Sequence, residues 1–163
     1  MVLTGEDIPF CGGSIISARH VLTAAHCTFT RYTGTVMTPS SLQVLVGAHD
    51  VENNLPAAQR FSVSKILNSP WFEYYSLSYD VSILTLSSSI TFSLAASPVC
   101  LPALSSDSST GYPDYPDYSG LEATVSGWGD TSIGGSPSAT LLMTNITIQT
   151  NGECRNAYDD IKQ

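Results

Sequence analysis

Apolar and polar residues alternate with a period of two in several short runs of this chain. From Ser41, the run SLQVLVGAHD sets Leu42, Val44 and Val46 on one side and Gln43 and Leu45 on the other. From Arg60, RFSVSKILN sets Phe61, Val63 and Lys65 against Ser62, Ser64 and Ile66. Such alternation predicts extended strands, because successive side chains of a strand point to opposite faces. Ser14–Ile16 and His20–Ala24 read as shorter strand pieces. YDVSILTL, from Tyr79, is a mostly apolar run of strand length, and ATVSGW and LLMTNITIQ repeat the theme. Gly, Pro, Asn and Ser separate the runs, which suggests a β-sandwich or β-barrel. Only the C-terminal stretch GECRNAYDDIKQ carries helical spacing, with Cys154, Tyr158 and Ile161 at i, i+4 and i+7. Residues 105–120, SSDSSTGYPDYPDYSG, read as a solvated loop that divides the chain into a longer and a shorter strand-rich part.

Composition narrows the class. The 163 residues are 42% hydrophobic and only 12% charged, a globular balance in a chain long enough for one domain with a core or for one and a half small ones. Serine, threonine and β-branched residues favour strands. The formal net charge is −8, and the six basic residues are scattered singly, which argues against nucleic acid as a partner. No run approaches the roughly 18 apolar residues of a membrane span, so no membrane partner is expected. MVLTGEDIPF has neither the basic start nor the apolar stretch of a signal peptide.

Four cysteines, Cys11, Cys27, Cys100 and Cys154, allow three pairings. They form no CxxC pair and do not cluster in sequence with the three histidines, so no zinc site or other cofactor is expected. Disulfides would imply an oxidising compartment.

Two residues carry candidate chemistry. His26 lies in LTAAHC, where two alanines leave space around its ring and Cys11 and Cys27 bracket the stretch. A general base needs that room, because its imidazole must reach substrate and nucleophile together. Alone, such a histidine is more often structural. Asp80 leads directly into the apolar run VSILTL, and a carboxylate there needs a partner to offset desolvation. It either accepts main-chain N–H bonds at the strand entry or orients an imidazole through its Nδ1–H.

FCGGSIISARHVLTAAHC, DVSILTL, PVCLP and SGWG, in this order, resemble a trypsin/chymotrypsin-like serine endopeptidase. The resemblance runs from about Phe10 to about Cys154. It implies an all-β fold of two antiparallel β-barrels with the active site between them. Residues 1–98 would form most of the first barrel, and 99–163 a linker and a partial second barrel. It makes His26 the general base and later the general acid, and Asp80 the carboxylate that orients it. It pairs Cys11 with Cys27, leaves Cys100 and Cys154 as free thiols, and gives SGWG a structural role. A Cys100–Cys154 bridge is allowed on parity alone.

Other family features are missing from these residues. The nucleophile's GDSGG motif does not occur, nor does an IVGG-type start. Ser14, in CGGSII, falls in a structural strand of the family, and Ser136 in GGSPS is followed by proline. The expectation is therefore a partial protease, truncated at both ends, that lacks the nucleophilic serine, the oxyanion hole and the pocket walls. Alone it would be inactive. The intact protein would be secreted and act on protein or peptide substrates. The alternative is a non-catalytic homologue acting as a binding or regulatory module, but a half-built barrel exposes unpaired strand edges, which favours the partial protease. A β-domain unrelated to proteolysis does not explain four motifs in order.

Three smaller features remain. GAHDVEN, from Gly47, is similar to a calcium loop of some relatives, but Ala48 replaces an acid. Asp50 and Glu52 offer too few oxygens for a cation that takes six or more, so no metal is expected. His20 and His49 read as structural or surface residues. Asn145, in Asn145-Ile146-Thr147, is a candidate glycosylation acceptor if the protein is secreted.

Overall fold

The computed structural model describes residues 1–30, 33–53, 58–102 and 116–161. Its strands are β1 (Val2–Leu3), β2 (Ser14–Ser17), β3 (His20–Thr23), β4 (Leu42–Val46), β5 (Gln59–Asn68), β6 (Ser82–Leu86), β7 (Glu122–Gly127) and β8 (Leu142–Thr147), followed by α1 (Asn151–Ile161). The chain forms two compact units, Met1–Cys100 and Leu101–Gln163. It is thus mostly β, as the patterning predicts.

In the first unit, six strands form one curled antiparallel sheet in the order β1-β4-β5-β6-β3-β2. The alternation of β4 is expressed directly: Leu42, Val44 and Val46 are buried, and Gln43 and Leu45 are half-buried. Ser82, Leu84 and Leu86 of β6 repeat this pattern. The leucines and valines of these two strands join Val21, Phe61 and Val63 in one apolar core.

In β5 the alternation changes phase. Phe61 and Val63 face inward as expected, but Lys65 is exposed and Ile66 packs against the core. A bulge causes this. Val63 pairs with Leu86 and Lys65 with Thr85, so Ser64 is the extra residue. The bulge turns the lysine out to water and brings Ile66 in, where its burial is favourable.

Gly13 shows why a glycine stands directly before β2. A Cβ built there would lie 2.8 Å from Val21 Cγ1 and 3.0 Å from the Leu22 carbonyl oxygen. The main chain passes too close to β3 for any side chain. Gly13→Ala is expected to destabilise by about 1–3 kcal/mol, as overpacking does. Urea unfolding measures this, and Gly12→Ala, whose Cβ meets nothing within 4 Å, is the control.

The second unit is smaller. β7 and β8 pair antiparallel in continuous register, from Glu122 with Thr147 to Gly127 with Leu142. SGWG closes β7, and the Trp128 carbonyl accepts from the Ser138 N–H at 2.9 Å. α1 begins with a reciprocal cap. The Glu153 N–H donates to Thr150 Oγ1 at 3.1 Å, and Glu153 Oε2 accepts from the Thr150 N–H at 2.9 Å. The loop expected at 105–120 falls outside the described residues up to 115. Among the described residues, no helix is long and apolar enough to cross a membrane.

Candidate active site

His26 sits in a single 3₁₀ turn, Ala25–Thr28, immediately after β3. The turn is fixed on its inner side. Ala25 is fully buried, Cys27 is buried, and Thr28 is buried with its hydroxyl donating to the Ala25 carbonyl at 2.8 Å. The Thr28 hydroxyl also lies 3.0 Å from the Asn68 side-chain amide on β5. Just before the turn, Thr23 Oγ1 donates to the Gly12 carbonyl at 2.8 Å. With both neighbours inside, His26 has only the outward direction left, and its side chain is 47% exposed.

A disulfide joins Cys11 to Cys27, with their Cα atoms 6.1 Å apart. It ties the turn to the segment that precedes β2. Cys100 and Cys154 are free and exposed.

Asp80 reaches His26 through strand register. β3 pairs with β6, and Thr23 stands opposite Ser82. His26 follows Thr23 by one tight turn, and Asp80 precedes Ser82 by two residues, so residues 54 apart in sequence meet at the sheet end. Asp80 grips the histidine twice. Its Oδ1 accepts from the His26 main-chain N–H at 2.8 Å, and its Oδ2 lies 2.6 Å from Nδ1.

Partial burial acts to raise the Asp80 pKa. The hydrogen bonds from the His26 ring and main chain, with smaller contributions from the neighbouring imidazole and the Ala25 main chain, outweigh it and hold the pKa below the ordinary carboxylate value. Asp80 is then an anionic acceptor, so Nδ1 carries the proton and Nε2 presents its lone pair. A folded-state pKa below the unfolded one stabilises the fold above the unfolded value, about 3.9, and the gain is lost as pH falls through the folded value. The stability advantage of the parent over Asp80→Asn is therefore expected to be full at neutral pH and to shrink below about pH 4. Urea midpoints of both proteins at the two pH values test this.

An aromatic cluster lies beside the His26 turn. The Phe29 ring, next to the His26 turn, lies 5.1 Å from Phe72 and 5.6 Å from Tyr74, centroid to centroid. Leu77 and Tyr79 take left-handed backbone conformations with φ of 53° and 55°, a conformation that non-glycine residues seldom adopt. The chain is thus held in an uncommon course just before Asp80. Sequence reasoning missed Thr28, Asn68 and this cluster. The run WFEYY, residues 71–75, was its visible trace, since so many aromatic residues in a loop need a reason.

The other candidates each have their own surroundings. His20, on β3, has its Nδ1 2.8 Å from Ser17 Oγ. Asp50 closes its own turn, accepting from the Glu52 and Asn53 main-chain N–H groups at 3.0 and 2.8 Å, and Glu52 is exposed. His49 is exposed beside it. Ser14 lies in β2 opposite Leu22. Ser136 lies in the turn between β7 and β8, in the second unit. Asn145 is exposed on β8, and its Oδ1 accepts from Thr124 Oγ1 at 2.9 Å. Among the described residues, one group brings three side chains of metal-ligand type together: Cys11, His26 and Cys27, whose ligand atoms lie within 4.8 Å of one another, with the two sulfurs joined in the disulfide.

Comparison with known proteins shows which family the chain belongs to. The chain is 34% identical over 154 residues to trypsin-1 of Astacus astacus, a match covering 94% of this chain and 59% of that protein. It is 32% identical to trypsin of Xenopus laevis, over 91% of this chain and 53% of that one. It is 27% identical to the clotting factor G beta subunit of Tachypleus tridentatus, over 93% and 45% respectively. The chain thus spans about half the length of these relatives. The family model described as Trypsin matches residues 2–163, and the chain therefore belongs to the trypsin family.

Proposed function

We propose that this chain is part of a serine-type endopeptidase that hydrolyses peptide bonds with a His–Asp–Ser triad. His26 is the general base and then the general acid, and Asp80 orients it. The observation that carries this reading is the double grip of Asp80 on His26, at 2.8 Å on the main chain and 2.6 Å on the ring. It fixes both the position and the tautomer of the imidazole. Nε2 would take the proton of the serine nucleophile during attack and return it to the leaving amine, while the Asp80 charge stabilises the imidazolium between the two steps.

Residues 1–163 contain no GDSGG motif. We assign the nucleophile, the oxyanion donors and the pocket walls to parts of the machinery that these residues do not supply. Residues 1–98 then act as most of the first barrel, and 99–163 as a linker and part of the second. The substrates are proteins or peptides. The Cys11–Cys27 disulfide suits a secreted protein, in which Asn145 is an accessible acceptor for glycosylation.

The test is hydrolysis by purified residues 1–163 beside the same chain with His26→Ala. No peptide substrate should be cleaved faster by the parent than by the variant, because a base without a nucleophile has no acyl-enzyme to form. Turnover by the parent that disappears in the variant overturns the assignment of the serine to other residues.

A further inference from the structure

The half of the imidazole that faces away from Asp80 lies against sulfur. His26 Nε2 is 3.5 Å from Cys27 Sγ. Two ligands on one tetrahedral zinc, with Zn–N of about 2.0–2.1 Å and Zn–S of about 2.3 Å, stand about 3.5 Å apart. The nitrogen and sulfur therefore already have the separation that one metal ion requires. The third atom, Cys11 Sγ, is within the same 4.8 Å group. While the disulfide is intact, neither sulfur is a thiolate and the group cannot hold a metal.

We propose that reduction of the Cys11–Cys27 disulfide turns the His26 turn into a site for a thiophilic divalent cation, with zinc as the type case, bound by Cys11 Sγ, Cys27 Sγ and His26 Nε2. The reductant is a dithiol. Its thiolate attacks the half-buried Cys11 sulfur, and the buried Cys27 leaves as a thiolate. The second thiol of the reductant then displaces Cys11 and closes a cyclic disulfide. Two electrons pass to the protein, and two cysteines result. Metal binding releases any protons they carry, and the two thiolates balance the dication. The sulfurs must part to about 3.8 Å around a tetrahedral metal, and the 6.1 Å between the two Cα atoms accommodates that by side-chain rotation.

The ring is already set for this role. A metal-bound histidine is usually oriented by a carboxylate on its other nitrogen, and Asp80 Oδ2 at 2.6 Å from Nδ1 supplies one. Cys11 is distant from the pair in sequence, which is why ligand spacing did not reveal the group. The metal and the proposed base compete for one lone pair on Nε2. That consequence rests on the function proposed above, whereas the binding site does not.

The experiment uses residues 1–163 with the exposed Cys100 and Cys154 both replaced by serine. Zinc chloride is titrated before and after treatment with a dithiol by equilibrium dialysis. Cobalt chloride is titrated in parallel, to read thiolate-to-cobalt charge transfer and tetrahedral ligand-field bands. The expected result is no zinc bound before reduction and one equivalent after, with both cobalt signatures. Asp80→Asn should weaken binding by about 10–100-fold, and His26→Ala by at least as much. Absence of binding after reduction overturns the site, as does equal affinity in the His26→Ala chain. Binding by a reduced chain that has unfolded by circular dichroism, indifferent to Asp80→Asn, assigns the metal to two free thiols and also overturns it. Hydrolysis is not read, so failure here leaves the protease reading untouched.

Discussion

In a polypeptide that joins this chain to the C-terminal part of the Astacus astacus trypsin-1, Asp80→Asn is expected to slow turnover by about 10⁴-fold. In the same polypeptide, His26→Ala is expected to slow it by about 10⁶-fold. The smaller loss follows from the two oxygens of Asp80. An asparagine in its place would keep an oxygen for the His26 main-chain N–H, now 2.8 Å away, so the turn holds its position. The new amide N–H₂ would face Nδ1, where Oδ2 now sits at 2.6 Å, and would place the ring proton on Nε2. The imidazole stays in position with its proton on the wrong side. His26→Ala removes the base altogether. The two changes act on one unit, so the double variant should be no slower than His26→Ala alone. Steady-state kcat for the parent, the two single variants and the double variant measures this. Losses that multiply, or an Asp80→Asn variant as fast as the parent, contradict the roles given to both residues.

Leu84→Ala is expected to destabilise the protein by about 2–5 kcal/mol, the cost of a cavity at a site that cannot collapse. Leu84 is fully buried at the middle of β6. β5 and β3 flank it, and Ile66 and Val21 are its register partners. Three strands would have to move together to fill the space. A domain holds only about 5–15 kcal/mol in total, so this change takes a large part of it. Leu67→Ala, one strand away and 53% exposed, should change stability by no more than about 0.5 kcal/mol. Urea unfolding of the two variants separates them, and equal effects would place the core elsewhere. The Leu84 change also reaches the site, because β6 continues from Asp80 and sets its position beside β3.

Much of the fold was legible where a strand has one wet face. β4 was legible by its alternation and β6 as a mostly apolar run of strand length, and in the fold each buries every second residue in the same core. α1 was legible from Cys154, Tyr158 and Ile161, and its cap was legible too, because Thr150 and Glu153 have the T-x-x-E spacing of a capping box that the sequence reading passed over. β5 was legible as a strand but not in its second half. Lys65 and Ile66 exchange faces at the bulge, and a bulge depends on the partner strand as much as on the residues it displaces. His26 and Asp80 were legible as candidates only together. Each has a bland reading alone, and the resemblance of the surrounding motifs to one family raised them jointly.

The sequence by itself determined the local periods, the short strands between turns, the family and the two polar residues to watch. These depend on residues close together in the chain, where side-chain pattern and backbone geometry are directly linked. Only the tertiary structure shows how distant groups meet. The pairing of Thr23 with Ser82 brings Asp80 to the main-chain nitrogen and the ring Nδ1 of His26, and the packing of the CGGS segment on β3 explains Gly13. The same packing sets Cys11 beside His26 and Cys27, gathering three ligand atoms from residues whose spacing concealed them. The physical reason is shared. Register and packing are properties of pairs of segments, settled by which apolar faces bury each other, and no single stretch of sequence contains both partners.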